Sequence, residues 1–116
     1  MKVLAAVVLL VLVAVLVLRP RPDVAGEEAR ALIQDGALLV DVRSPEEFSA
    51  GHLEGAINLP VGELAGRLDE LRETADDGAR VVVVYCQSGM RSARAKRTLE
   101  EAGFASVRDL GSRFNW

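Results

Sequence analysis

The run Val81-Val82-Val83-Val84-Tyr85 constrains this chain more than any other stretch. Four β-branched residues and a tyrosine form a short apolar segment suited to a strand buried on both faces, as in a parallel sheet. The only cysteine, Cys86, follows at once, and then Gln87, Ser88, Gly89, Met90, Arg91 and Ser92. Ala93 to Ala102 is rich in helix formers and stops at Gly103, a C-terminal glycine signal. A strand end, a tight loop and a helix start therefore converge on one thiol. Backbone N–H groups at a helix start are unpaired, and the helix dipole favours negative charge there. A cysteine at such a corner reads as a reactive sulfur rather than a packing residue. Gly89 allows backbone geometry that a Cβ forbids, and Arg91 supplies a cation to an anion held in the loop.

The remaining segments alternate in the same way. Glu27 to Asp35 predicts an amphipathic helix ending at Gly36, and Ala37 to Val42 a second buried strand with Asp41 near its end. Ser44-Pro45-Glu46-Glu47 is a compact helix start: serine as N-cap, proline at the first helical position and acids in the first turn. Ile57-Asn58-Leu59 reads as a short strand, Glu63 to Arg72 as another amphipathic helix, and Ser106 to Leu110 as a last strand before a terminal turn over Gly111–Trp116. Short strands alternating with helices predict an α/β fold, a central parallel sheet with helices on both faces. Ligands of such sheets bind beyond the carboxyl ends of the strands, where Asp41 and Cys86 both fall.

The N-terminal end differs from all of this. Val3 to Leu18 is an unbroken apolar run of 16 residues. As a helix it spans about 24 Å, against about 30 Å of hydrocarbon in a bilayer. Leu16-Val17-Leu18-Arg19-Pro20 offers no pair of small residues for a signal peptidase, which favours an uncleaved anchor over a cleaved signal. The expectation is a bacterial-type inner-membrane protein, held through residues 3–18 with its domain on the extracytoplasmic side. Residues 1–22 then form an anchor with the stiff spacer Arg19-Pro20-Arg21-Pro22, and 23–116 the folded domain. With Lys2, Arg19 and Arg21 set aside, 11 of the 14 basic residues remain against 17 acidic ones, a formal charge of −6. That balance argues against nucleic acid as a partner. A single cysteine makes no intrachain disulfide.

Three stretches in order resemble one known family: Asp41-Val42-Arg43-Ser44-Pro45-Glu46-Glu47-Phe48, Gly51-His52-Leu53-Glu54-Gly55-Ala56-Ile57-Asn58-Leu59-Pro60, and Tyr85-Cys86-Gln87-Ser88-Gly89-Met90-Arg91-Ser92. They are similar to the signatures of single-domain rhodaneses, the thiosulfate sulfurtransferase-like proteins, and the resemblance runs from about Val24 to Trp116. It implies a three-layer rhodanese-like domain without cofactor or metal. It also implies that Cys86 takes a sulfane sulfur from thiosulfate or a persulfide and passes it to a thiol, a protein acceptor or cyanide. The loop Gln87 to Ser92 would cradle the persulfide, with Arg91 on the donor's sulfonate and Asp41 and Arg43 supporting the cleft; spacing pairs Arg43 with Glu47, four residues on. His52 is expected to mark a turn, and Phe48, Tyr85 and Trp116 to pack.

Arg91 sits at C-x4-R, whereas cysteine phosphatases of similar architecture resemble C-x5-R; the smaller ring suits sulfur better than phosphate. A non-enzymatic persulfide carrier, sulfur sensor or interaction module on the same fold is the alternative. The family's usual pair of glycines after the last strand is here Gly111-Ser112, and its closing helix is expected to be missing or vestigial.

Overall fold

The valine run forms the second strand from one edge of a four-stranded, wholly parallel sheet. In the computed structural model, which describes Met1–Trp116, β1 is Leu38–Asp41, β2 Ile57–Asn58, β3 Val82–Cys86 and β4 Val107–Ser112, in the spatial order β2-β1-β3-β4. Leu38 lies beside Val82 and Asp41 beside Tyr85, so β1 and β3 end together. Every residue of β1 and of β3 is buried, the pattern of strands covered on both faces. Between β3 and β4 the register slips: Val84 pairs with Asp109 but Tyr85 with Gly111, which leaves Leu110 as an extra residue.

Alternation along the strands divides the core in two. Val40, Val82, Val84 and Cys86 face Leu71 of α4 (Leu68–Thr74), its C-cap Ala75, and Ala95 and Leu99 of α5 (Met90–Glu101). On the other side Leu39, Val83, Tyr85 and Leu110 face Val24 and Ala29, the latter on α2 (Gly26–Gln34). The helix α3 (Pro45–Ala50) begins as its sequence requires. Ser44 accepts from the Glu47 amide at 3.2 Å, Glu47 reaches back to the Ser44 amide at 3.3 Å, and proline follows the cap.

Three elements depart from expectation. The helix over 63–72 is split into a 3-10 turn at Leu64–Gly66 and α4, where Gly66 and the N-capping Arg67 interrupt it. The last strand continues to Ser112, because Gly111 at φ 78° carries the backbone through the irregular register. After it stands a single 3-10 turn, Arg113–Asn115.

The third departure corrects the membrane reading. The apolar run forms α1 (Lys2–Leu18), 17 residues with no buried side chain. At about 1.5 Å per residue it falls short of the about 30 Å of a bilayer's hydrocarbon core. No helix of the chain is long and apolar enough to cross a membrane. The expected anchor through residues 3–18, and with it the inner-membrane, extracytoplasmic placement, is therefore withdrawn.

Candidate active site

The carboxyl end of β3 delivers Cys86 into the turn before α5. Cys86 is fully buried and borders the core, yet its sulfur is not left to apolar neighbours. The Gly89 amide donates to Sγ at 2.9 Å. Sγ in turn lies 3.5 Å from the hydroxyl of Ser92, also fully buried, which donates to the Gly89 carbonyl at 3.2 Å. Gly89 holds φ at 97°, a left-handed conformation that a side chain would strain, and in it the amide turns back on the sulfur. Gly89 is also the N-cap of α5, with no side chain covering the first-turn amides of Met90, Arg91 and Ser92. Of the loop amides expected to ring the sulfur, that of Gly89 is the one bonded to it.

The other loop residues separate by exposure. Gln87, Ser88 and Met90 face outward, Met90 at 60% exposure. Gln87 meets the site through its side chain, whose Oε1 lies 3.5 Å from Arg43 Nη1.

Arg43 does not pair with Glu47. Its backbone N–H donates to Asp41 Oδ1 at 2.8 Å, and its guanidinium grips both carboxylate oxygens, with Nη2 to Oδ2 at 2.8 Å. Nη2 also donates to the Gly51 carbonyl at 2.7 Å. Both side chains are buried, so this is an ion pair inside the protein rather than on its surface. The reason is position: Arg43 precedes the N-cap Ser44, so Glu47 is not one helical turn along from it. Glu47 points to Arg91 instead, with Nη1–Oε1 at 2.6 Å and Nη2–Oε2 at 2.9 Å. That fork, with the Ser44 contacts, holds the Glu47 carboxyl down at about 2. The Arg91 guanidinium is raised by the same pairing. Arg91 thus reaches the loop already engaged by an acid, and that this acid is Glu47 the sequence reading missed.

Tyr85 does more than pack. Its hydroxyl accepts the Leu53 amide at 3.0 Å, and burial pushes it up to about 12. His52 stacks on Phe48 with ring centroids 3.7 Å apart, and its Nδ1 lies 2.9 Å from the Phe48 carbonyl. Asp109, one strand away on β4, was also missed. It is buried, it accepts the Gly111 amide at 2.8 Å, and burial raises its carboxyl. No cluster of three or more metal-ligating side chains occurs.

Comparison with known proteins bears on this arrangement. Residues 25–116 match the family model described as a rhodanese-like domain. The chain is 38% identical over 72 residues to the thiosulfate sulfurtransferase PspE of Escherichia coli, covering 62% of this chain and 66% of that one. It is 40% identical over 78 residues to the uncharacterized protein YqhL of Bacillus subtilis, covering 67% of this chain and 58% of the relative. It thus spans somewhat under two thirds of these relatives' length. Among solved structures, the human single-domain sulfurtransferase TSTD1 superposes with a TM-score of 0.68 at 30% identity, over 84% of this chain and 93% of that one. With the family model matched over most of its length, the chain belongs to the rhodanese-like family.

Proposed function

We propose that this protein is a sulfurtransferase working through a persulfide on Cys86. The observation that carries the reading is the Gly89 amide aimed at Sγ at 2.9 Å, a donor suited to negative charge on that sulfur. In the first step the Cys86 thiolate attacks the outer sulfur of thiosulfate. The S–S bond of the donor breaks, its electron pair leaves on sulfite, and Cys86–S–S⁻ remains. In the second step a thiol or cyanide bonds that outer sulfur, and the pair of the Sγ–S bond returns to Sγ. No oxidant is needed. The uncapped first-turn amides of α5 are the groups available to the outer sulfur, which lies beyond Sγ. Arg91, presented by Glu47, stands at the loop as the cation for the donor's sulfonate. Gln87, Ser88 and Met90 form the exposed rim that a substrate meets.

The test uses the purified protein with thiosulfate and cyanide. Thiocyanate should form, and Cys86 should gain the mass of one sulfur atom when cyanide is withheld. Cys86→Ser should do neither, and a wild-type protein that loads no sulfur from any sulfane donor ends the proposal. The complete burial of Cys86 favours a second reading, a carrier that loads sulfur and releases it only to a dedicated protein. A relative from Bacillus subtilis, 36% identical over 69 residues and covered over 35% of its length, is named a putative sulfur carrier protein. Loading without turnover on cyanide or small thiols would select that reading.

A further inference from the structure

Beside the cysteine loop lies a cavity of about 540 Å³ whose other walls the mechanism above gives no role. One wall is the loop itself, at Ser88 and Gly89, and another is the end of β4, at Gly111 and Ser112. The third wall is the strap between α1 and α2, which contributes Arg19 and Arg21. The strap is fixed in place. The Asp23 amide donates to the Asp109 carbonyl at 2.7 Å, the Asp23 carboxylate accepts the Asp109 amide at 3.0 Å, and Lys96 pairs with that carboxylate. Pro22 is packed over Gly111, where an added Cβ would come within 3.3 Å of the proline ring. Two prolines alternate with the two arginines and limit the strap's backbone to extended conformations.

The charges in this cavity are unbalanced. The chain's ion pairs are made by Arg43, Arg67, Arg72, Arg91 and Lys96, and neither Arg19 nor Arg21 takes part in one. Ser88, Ser112 and Asn115 share the lining; the Ser112 hydroxyl accepts the Phe114 amide at 3.2 Å and the Asn115 amide donates to the Leu110 carbonyl at 2.8 Å. Asp109 is the one acid on the lining; it is buried, its carboxylate accepts the Gly111 amide at 2.8 Å, and burial raises its pKa. Two arginines that make no ion pair match a ligand with two anionic groups.

We propose that this cavity binds the anionic tail of the sulfur acceptor, a small thiol carrying two carboxylates or a phosphate. The inference rests on the sulfur-transfer reading and narrows it. Ser88 and Gly89 close one wall of the cavity, and the Gly89 amide is the group that holds Sγ. A tail seated there brings its own thiol to the ridge of the reactive loop. That thiol bonds the outer sulfur of the persulfide and leaves as a persulfide itself, while Sγ keeps the electron pair of the broken bond.

The experiment compares the full-length chain with R19S/R21S, using mercaptosuccinate and uncharged 2-mercaptoethanol as acceptors. The ratio of kcat/KM for the charged over the neutral thiol should fall about tenfold in the variant and should shrink in the wild type as salt rises. A ratio within twofold of wild type overturns the proposal. A calorimetric arm with succinate and with inorganic phosphate, neither of which carries a thiol, separates the two failures. Binding of either that R19S/R21S abolishes supports the site even where no sulfur is transferred, and identifies carboxylate or phosphate as the better ligand. Absence of binding by both overturns the site while leaving the chemistry of Cys86 standing.

Discussion

Arg91, at the start of α5, and Glu47, at the third position of α3, are joined by two parallel hydrogen bonds of 2.6 and 2.9 Å. The pair ties the helix that follows the cysteine to the helix that follows β1. Glu47 is thereby a positioning residue: it accepts from Arg91 on one side and closes the capping box with Ser44 on the other.

Glu47→Gln should therefore destabilise the fold by about 1 kcal/mol at pH 7, a figure reduced for side chains that are one-third exposed. The carboxyl lies near 2 when folded, below its ordinary value of 4.5, so its contribution is present above 4.5 and is lost as pH falls toward 2. Urea unfolding at pH 7 and pH 3 reads this directly. A wild-type advantage equally large at both pH values would contradict it.

Asp41→Asn should cost more, roughly 3–5 kcal/mol, because it leaves the Arg43 guanidinium buried without its counter-charge. Asp41→Leu combined with Arg43→Met should recover part of that loss. Chemical denaturation of the two variants is the comparison. A double variant less stable than Asp41→Asn would show that hydrogen bonds to Gly51 and Gln87, and not charge pairing, dominate at Arg43.

The chain has one tyrosine, so ultraviolet titration of phenolate follows Tyr85 alone. Its midpoint should lie near 12 rather than 10, with burial as the main cause. The raised value means that stability is intact below pH 10 and declines as pH climbs through 12. Tyr85→Phe should cost about 1–2 kcal/mol by stranding the Leu53 amide. A midpoint near 10 in a protein still folded by circular dichroism would remove the burial argument.

Gly89→Ala should retain the fold yet load sulfur at least tenfold more slowly. The left-handed backbone at φ 97° costs a residue with a Cβ about 1–2 kcal/mol. Relief of that strain turns the amide from Sγ. The added methyl itself meets only the Gly111 Cα at 3.7 Å, an ordinary contact, so the effect would be conformational and not steric. Normal loading by this variant would show that the amide is dispensable.

The sheet was legible because its strands are strongly apolar and short: Val82–Tyr85 and Leu38–Val40 have few alternatives in a chain of this size. The start of α3 was legible because Ser44, Pro45 and Glu47 are a cap written in consecutive residues. Side-chain pairing was not. Spacing in sequence suggested Arg43 with Glu47, but a partner 44 residues away, Arg91, takes that acid, and only the juxtaposition of α3 and α5 brings them together. Asp109 was not legible, since it directly follows the charged Arg108 and nothing local says that its carboxyl turns inward. The N-terminal run was legible as a helix, but apolar character alone did not settle its role, and its length was the deciding property.

The sheet has no hairpins, and that has a kinetic consequence. Every strand meets its neighbour only after a helix or long connection has been spanned, so chain-closure entropy is lost before any pairing is gained. Gly111, the residue that a Cβ added at Gly89 would meet, belongs to the last strand of the sheet to emerge during synthesis. A nascent chain halted at α5 would carry its cysteine without that support. Sulfur uptake by arrested ribosome-bound chains would accordingly appear only once β4 has cleared the tunnel, and reactivity would serve as a clock for completed folding.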